Sequence, residues 1–270
     1  MQVQSLPATP PPRSALKIQR AVLVALVIRE LRTRVQGRWL GLLWMLLEPL
    51  AHVLLILALF GFRRQTVSST MELPVFLVTG ILPFFIFRNL ARRVPKAVST
   101  NRSLFSYRQV KPFDALLARG VVEVGLYSAV YLSALLLLGW VGYHAFPVAP
   151  LELMVVSTVI VILGFGLGLL FSVLIHNRPR VDTFIGMLFL PLYILSGVIF
   201  PLHSLPYEYR QWLMWNPVLH LIDLSRTMFI PHYQPLPGVN LTYPAAWALG
   251  VSALAMCAYR VYRHRFVSVG

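Results

Sequence analysis

Glu48 and His52 stand four residues apart, as do Arg119 and Glu123, in stretches that are otherwise apolar. Helical residues at that spacing share a face. A carboxylate beside an imidazole could relay protons or supply half of a metal site; the commoner outcome is a mutual hydrogen bond turned toward the protein interior. Arg119 and Glu123 are expected to form an ion pair that positions their helix. Asp182, behind Arg178 and Arg180, reads as a solvated neighbour of those two charges. Asp223, His203, His220 and His232 are the remaining cluster that an enzyme at the membrane edge could use, but they lack metal-like spacing. The three lysines, Lys17, Lys96 and Lys111, are never followed by Ser or Thr. A GxxxxGK[ST] loop for cradling phosphates is therefore missing, as are HExxH, Cys/His ligand spacing and a Gly-x-Ser-x-Gly elbow. No catalytic residue and no metal ligand is assigned.

The elements that must carry these residues are set by composition. The chain has 270 residues, 57% hydrophobic and 12% charged, with a mean hydropathy of +0.70. A soluble domain carries roughly 25% charged residues, so this chain has too little polar surface to cover a core in water. The bilayer is its natural solvent. A net charge of +15 would suggest nucleic acid in a soluble protein; in a membrane protein it follows from basic loops on one side, and no nucleic-acid partner is expected. Cys257 is the single cysteine, which excludes an internal disulfide. Residues 1–14, polar and rich in proline, read as a disordered cytoplasmic tail.

Crossing about 30 Å of hydrocarbon takes roughly 20 apolar residues in a helix. Six segments qualify, at about 41–62, 74–91, 115–143, 152–176, 183–200 and 244–260. Pro83 and Pro191 predict kinks in the second and fifth. The eight apolar residues AVLVALVI, 21–28, reach about 12 Å and are flanked by basic residues. They predict an amphipathic interfacial helix over 15–37, ended by Gly37, with its charges among lipid phosphates. The fold class is thus all-α integral membrane: an interfacial helix followed by a six-span domain over 38–270. With the N-terminus inside, seven Lys and Arg precede the first span, eight lie between Arg88 and Arg119, two in the 176–182 loop and three at the C-terminus. Only Arg63, Arg64, Arg210 and Arg226 fall outside, so twenty basic residues stand against four. Both termini are expected in the cytoplasm. The Arg63–Arg64 pair reads as snorkelling to outer headgroups.

Two connections are too elaborate to be tethers. NRSLFSYRQVKPFD, residues 101–114, brings basic and aromatic residues between two apolar spans. The outer connection 201–243 contains LPYEYRQWLMWNPVLHLIDLSRTMFIPHY, which predicts short helices over Tyr207–Trp215 and Leu219–Phe229 broken at Asn216-Pro217. Trp212, Trp215, Tyr207 and Tyr209 suit the headgroup level. The segment 201–230 reads either as an aromatic belt or as re-entrant helices roofing a pathway. Phe84 on the second span and Tyr127 and Tyr131 on the third either pack or line a channel, where sugar rings could stack on them. Arg88, Arg92 and Arg93 could attract an anionic polymer at the inner mouth.

Three blocks, RELRTRVQGRWLGLLWMLLEPLAH, NRSLFSYRQVKPFDALLARGVVE and SGVIFPLHSLPYEYRQWLMWNPVLHLIDLSR, resemble the ABC-2 type membrane subunit of bacterial capsular polysaccharide exporters. The resemblance runs in order through nearly the whole chain after residue 28. It implies six transmembrane helices behind an interfacial helix, in the inner membrane, working as a homodimer bound to two separate ABC ATPase subunits. ATP and Mg would then bind in those partners, with no cofactor in this chain. It also implies a lipid-linked polysaccharide cargo and periplasmic and outer-membrane export components. The loop 96–114 would be the coupling element that docks on the ATPase. Arg102, Arg108 and Lys111 can pair with acceptors on a partner, Leu104, Phe105 and Tyr107 offer apolar anchors, Asn101 opens the segment and Pro112 fixes the chain at its re-entry. The same basic residues could instead meet anionic lipid. Alternative cargoes are O-antigen, teichoic acid or a lipid-like drug, and alternative classes are a glycan- or lipid-modifying enzyme and an ion-coupled carrier.

Overall fold

The computed structural model describes residues 14–35, 39–61, 72–230 and 233–267. The proline-rich first 13 residues, Gly37, the Arg63–Arg64 pair and His232 lie outside them. In chain order the helices are α1 (Ala15–Val35), α2 (Trp39–Gly61), α3 (Leu73–Arg93), α4 (Lys96–Thr100), α5 (Pro112–Val141), α6 (Pro150–Asn177), α7 (Val181–Leu195), α8 (Tyr207–Leu213), α9 (Pro217–Thr227) and α10 (Thr242–Val267). No strand occurs among the described residues. Proline opens α5, α6 and α9, where its missing N–H is one that no helix could pair anyway. The side chain of Asn216 accepts a hydrogen bond from the Val218 N–H and caps α9.

Among the described residues, α3, α5, α6 and α10 are long and apolar enough to cross a bilayer. Each of the six expected apolar segments carries a helix among the described residues, but the fifth helix is shorter than its apolar run. α7 stops at Leu195 rather than reaching residue 200, because the chain turns through Ser196 into Gly197 at φ 63°. Its 15 residues reach about 22 Å, short of the hydrocarbon thickness. Side chains on the outward faces are apolar, among them Leu132, Leu136, Leu190 and Leu254.

α3 is the axis of the bundle, buried around nearly its whole circumference against α2, α5, α6, α7 and α9. Its approach to α6 depends on Gly164 and Gly168, one turn apart in GFGLG. A Cβ on Gly164 would lie 3.0 Å from the Phe87 carbonyl oxygen, and one on Gly168 would lie 2.7 Å from that of Leu90. Gly166 faces the other way, where a Cβ would lie 2.6 Å from Ser252 Oγ on α10. Small residues let helices approach closely where lipid provides no hydrophobic drive between them.

α3 runs unbroken through Pro83. The proline has no N–H for the carbonyl of Thr79, and Ser225 on α9 stands in: its hydroxyl lies 3.2 Å from Thr79 O, sharing its proton with Ile222 O at 2.7 Å. α1 packs along α5, and its faces do not divide into apolar and polar as an amphipathic helix would. Leu16, Val24 and Ile28 point outward among Lys17 and Arg20, while the inward stripe holds Leu26 and the carboxylate of Glu30. Glu30 turns inward because its partner lies there.

Gly168→Leu is expected to cost roughly 1–3 kcal/mol through overpacking against α3 and to lower the melting temperature of the purified protein. Gly250→Ala, with nothing within 4 Å of the added Cβ, should leave it unchanged. Equal melting temperatures for the two variants would contradict the α3–α6 packing.

Candidate functional site

The end of the bundle where α3 stops and α5 begins carries a chain of alternating charges. Arg119 on α5 donates from Nε and Nη2 to both Glu30 oxygens, at 2.8 and 3.0 Å. Arg34, next turn along α1, lies 3.3 Å from Glu30 Oε1 and also donates to Glu123 on α5. Glu123 Oε2 lies 3.7 Å from Arg93, Arg93 lies 3.9 Å from Glu48, and Glu48 lies 3.4 Å from Arg88. The sequence Arg119–Glu30–Arg34–Glu123–Arg93–Glu48–Arg88 therefore links α5, α1, α3 and α2. Burial alone would lower the Arg34 pKa, but the Glu123 carboxylate, helped by Glu30, holds it above the ordinary arginine value.

This arrangement corrects both expected pairs. Arg119 and Glu123 do not bond each other; each is claimed by α1, with Glu30 meeting Arg119 in bidentate fashion and Arg34 donating to Glu123. Glu48 and His52 do not bond each other either. Glu48 faces the cations of α3, and the neutral alternative left to His52 is Tyr193 on α7, with Nε2 2.8 Å from the phenol oxygen.

The segment 96–114 folds as α4, a tight 3-10 turn over Arg102–Ser106, and a bend into α5. Asn101 is buried and donates to the Ala97 carbonyl at 2.9 Å. Phe105 is 7% exposed and belongs to the chain's own core, so it is not the free apolar anchor expected of it. In a turn this tight, one side chain of SLFSY must face inward, and the bulkiest apolar one does. Tyr107 is 65% exposed, with Arg102, Arg108 and Lys111 exposed around it and Leu104 half-buried. Pro112 is buried at the helix start, where Asp114 accepts from the Lys111 N–H at 3.0 Å and from Gln19 on α1 at 2.6 Å. Beside the segment lies a groove of about 590 Å³ bordered by Lys96, Arg102, His176, Asp182 and Phe266. Asp182 is thus half-buried at its rim rather than free in solvent.

Of the remaining expected site residues, Phe84, Arg88 and Arg92 border one cavity between α2, α3 and α7. Tyr127 and Tyr131 are buried inside the bundle, Tyr127 with the Arg93 guanidinium 5.7 Å from its ring and Tyr131 with Phe229 at 6.3 Å. Tyr259 late in α10 meets the start of α5, whereas at the opposite end, where the Tyr243 hydroxyl at the start of α10 donates to the Trp215 carbonyl, Trp212 and Trp215 are 79% and 76% exposed. There α8 and α9 form the two short helices expected, broken at Asn216-Pro217. Asp223 accepts from the Tyr233 hydroxyl at 2.5 Å and the Leu236 N–H at 2.8 Å. His220 Nδ1 accepts from the Asn240 N–H at 3.2 Å, which directs Nε2–H to the Met214 carbonyl at 2.9 Å. These groups, the strongest enzyme candidates, are spent on holding the loop together. Arg226, fully buried, donates to Val198 O at 2.9 Å and lies 3.6 Å over the Phe76 ring. It fits only because residue 80 is glycine, where a Cβ would come within 2.6 Å of its Nη2.

Sequence reasoning missed Glu30, Arg34 and Arg226. Glu30 did carry a signal, as the one acid in the basic run RELRTR; Arg226 carried none.

The ABC-2 type transporter family matches residues 21–230. The polysialic acid transport protein KpsM of Escherichia coli is 38% identical over 249 residues, 92% of this chain and 96% of that protein. The capsule polysaccharide export inner-membrane protein CtrC of Neisseria meningitidis is 28% identical over 215 residues, covering 78% of this chain and 80% of its own. BexB of Haemophilus influenzae, described in the same words, is 27% identical over 247 residues, 90% of each chain.

Glu30→Gln and Arg119→Gln should each destabilise the protein, while the double variant should lose less than the sum, with a coupling of roughly 1–3 kcal/mol. Thermal unfolding of the four proteins measures this cycle. Strict additivity would show that the α1–α5 pair contributes nothing.

Proposed function

The chain belongs to the ABC-2 type transporter family, and on that footing we propose that it is the membrane-spanning permease subunit of an ATP-driven exporter carrying a lipid-linked capsular polysaccharide across the bacterial inner membrane. The observation that carries this reading is the likeness to the polysialic acid transport protein over 92% of this chain and 96% of that one, joined to a sequence without a phosphate-binding loop whose described residues fold into helices and their connections. Six spans would be α2, α3, α5, α6, α7 and α10, with α7 extended to the far surface by the non-helical residues after Gly197. Both termini would lie in the cytoplasm, as twenty inward basic residues against four favour. α1 would lie in the inner interface, and α8–α9 would roof the exit.

Motion would come from two ABC ATPase subunits bound to a homodimer of this chain, with ATP and Mg held by those partners and periplasmic and outer-membrane components continuing the path. Tyr107, Arg102, Arg108 and Lys111 form an exposed aromatic and basic surface of the kind that anchors and orients a partner. What the partner pushes is coupled inward by bonds. Asp114 ties the segment to α1 through Gln19, and the Phe113 N–H donates to Tyr259 on α10 at 3.1 Å. A displacement of the segment is thereby felt on α1, α5 and α10 together.

Tyr107→Asp is expected to abolish copurification of the ATPase and surface capsule while leaving the protein in the membrane at its normal level. Phe105→Asp should instead reduce the folded protein, since it buries a charge. Capsule assembly and ATPase copurification at wild-type levels in Tyr107→Asp would overturn the docking assignment. For topology, Trp212→Cys in a chain with Cys257→Ala should react with an impermeant maleimide in intact spheroplasts. Tyr107→Cys in the same background should react only after permeabilisation, and the reverse pattern would invert the proposed orientation.

A further inference from the structure

The cavity between α2, α3 and α7 has a volume of about 250 Å³ and holds two guanidinium groups from one face of α3, Arg88 and Arg92. They differ in how they are satisfied. Arg88 faces Glu48 at 3.4 Å and stacks 4.1 Å over the Phe85 ring. Arg92 has no ion pair and no hydrogen bond among the described residues, and its Nε is sealed from solvent without a partner. A buried guanidinium N–H without a partner is unfavourable unless something fills it, and the rest of the fork borders the cavity.

The seat of Arg92 is shaped. At Gly186 on α7 a Cβ would lie 2.9 Å from Arg92 Nη2 and 3.3 Å from its Cζ, so the fork lies against the α7 backbone in a notch that any side chain would fill. Aromatic rings line the same cavity. Phe84 and Tyr193 meet edge to face at 5.1 Å, and the 2.8 Å contact with His52 fixes the Tyr193 ring. Phe189 closes one side. Planar guanidinium with free N–H groups is matched to the two oxygens of a carboxylate or phosphate, and aromatic faces suit the C–H surfaces of a sugar ring. The volume falls below the roughly 300–1,000 Å³ of a drug-sized site, so it accommodates one charged unit of a polymer and not a stretch of it.

We propose that this cavity is an oxyanion subsite for the exported glycolipid, in which Arg92 takes a carboxylate or phosphate group in bidentate fashion and Arg88 adds a second positive charge. The Phe84–Tyr193 wall receives the carbon face of the attached unit. This rests on the export reading above. The oxyanion could belong to an acidic sugar or to the phosphate that joins the glycan to its lipid; both present the same pair of oxygens.

The test uses the full chain purified with its ATPase partner and measures binding calorimetrically for three probes: a sialic acid hexamer, neutral maltohexaose and lysophosphatidylglycerol. Maltohexaose should bind at least tenfold more weakly than the better acidic probe. Binding by the hexamer alone assigns the subsite to the sugar carboxylate, binding by the lysolipid alone assigns it to the lipid phosphate, and binding by both assigns it to either group in turn. Arg92→Gln should weaken the acidic probe at least tenfold, Arg92→Lys by less, and Gly186→Ala should weaken it by displacing the fork. Arg260→Gln, an exposed change on α10, should have no effect. Melting temperatures of Arg92→Gln and Arg92→Lys within a degree or two of wild type would separate lost binding from lost folding. The subsite is refuted if neither acidic probe binds the wild type, if maltohexaose binds as well, or if Arg92→Gln binds like wild type. Capsule export is measured alongside. Export by wild type and Arg92→Gln at equal rates removes the subsite and leaves the permease reading standing, whereas absence of export by wild type counts against the permease reading and not against the binding result.

Discussion

Three arginines end the most deeply buried helix of this protein, and most of the architecture at that end answers the need to satisfy them. α3 is an apolar axis whose last turns carry Arg88, Arg92 and Arg93 into a region walled by other helices. Ions taken from water lose several kcal/mol of solvation each unless matched by opposite charge or hydrogen bonds. The acids available for this are few, because the whole chain has only nine. Glu48 from α2 and Glu123 from α5 reach Arg88 and Arg93. Arg92 receives none.

From this constraint follows the position of α1. Glu123 is shared with Arg34, and Glu30 with Arg119 and Arg34, so the helix that precedes the bundle is held to α5 by charge while its outward face is left exposed. A chain of ion pairs has directional consequences that apolar packing lacks. Shifting α1 along α5 by one turn would break several bonds at once, whereas sliding one apolar face over another costs little until knobs meet. The segment between α3 and α5 inherits that rigidity through Asp114 and Gln19. In the proposed exporter this is how a push on an exposed loop could move a whole layer of helices.

The opposite end solves a different problem with similar means. The described residues between α7 and α10 form only short helices, yet α9 packs against α3, where buried backbone groups must find partners. Ser225 reaches the carbonyl that Pro83 leaves open, Asp223 gathers the loop through Tyr233 and Leu236, and Arg226 finds a carbonyl and a ring. Gly80 makes the last of these possible by having no Cβ.

What the sequence by itself determined was the solvent, the helices and their order. Apolar runs, proline at helix starts and the Asn216-Pro217 break are local properties, so six apolar helices, an additional one before them and two short ones between the last two were legible residue by residue. The family was legible for the same reason, since its blocks are contiguous. What only the tertiary structure decided was which groups meet. Spacing along one helix suggested Glu48 with His52 and Arg119 with Glu123, but a charged side chain in a poor dielectric takes the best-shaped opposite charge within reach, and here that charge came from another helix each time. The end of α7 at Gly197, the inward turn of Phe105 and the notch at Gly186 depend on neighbours distant in the chain, and no periodicity encodes them.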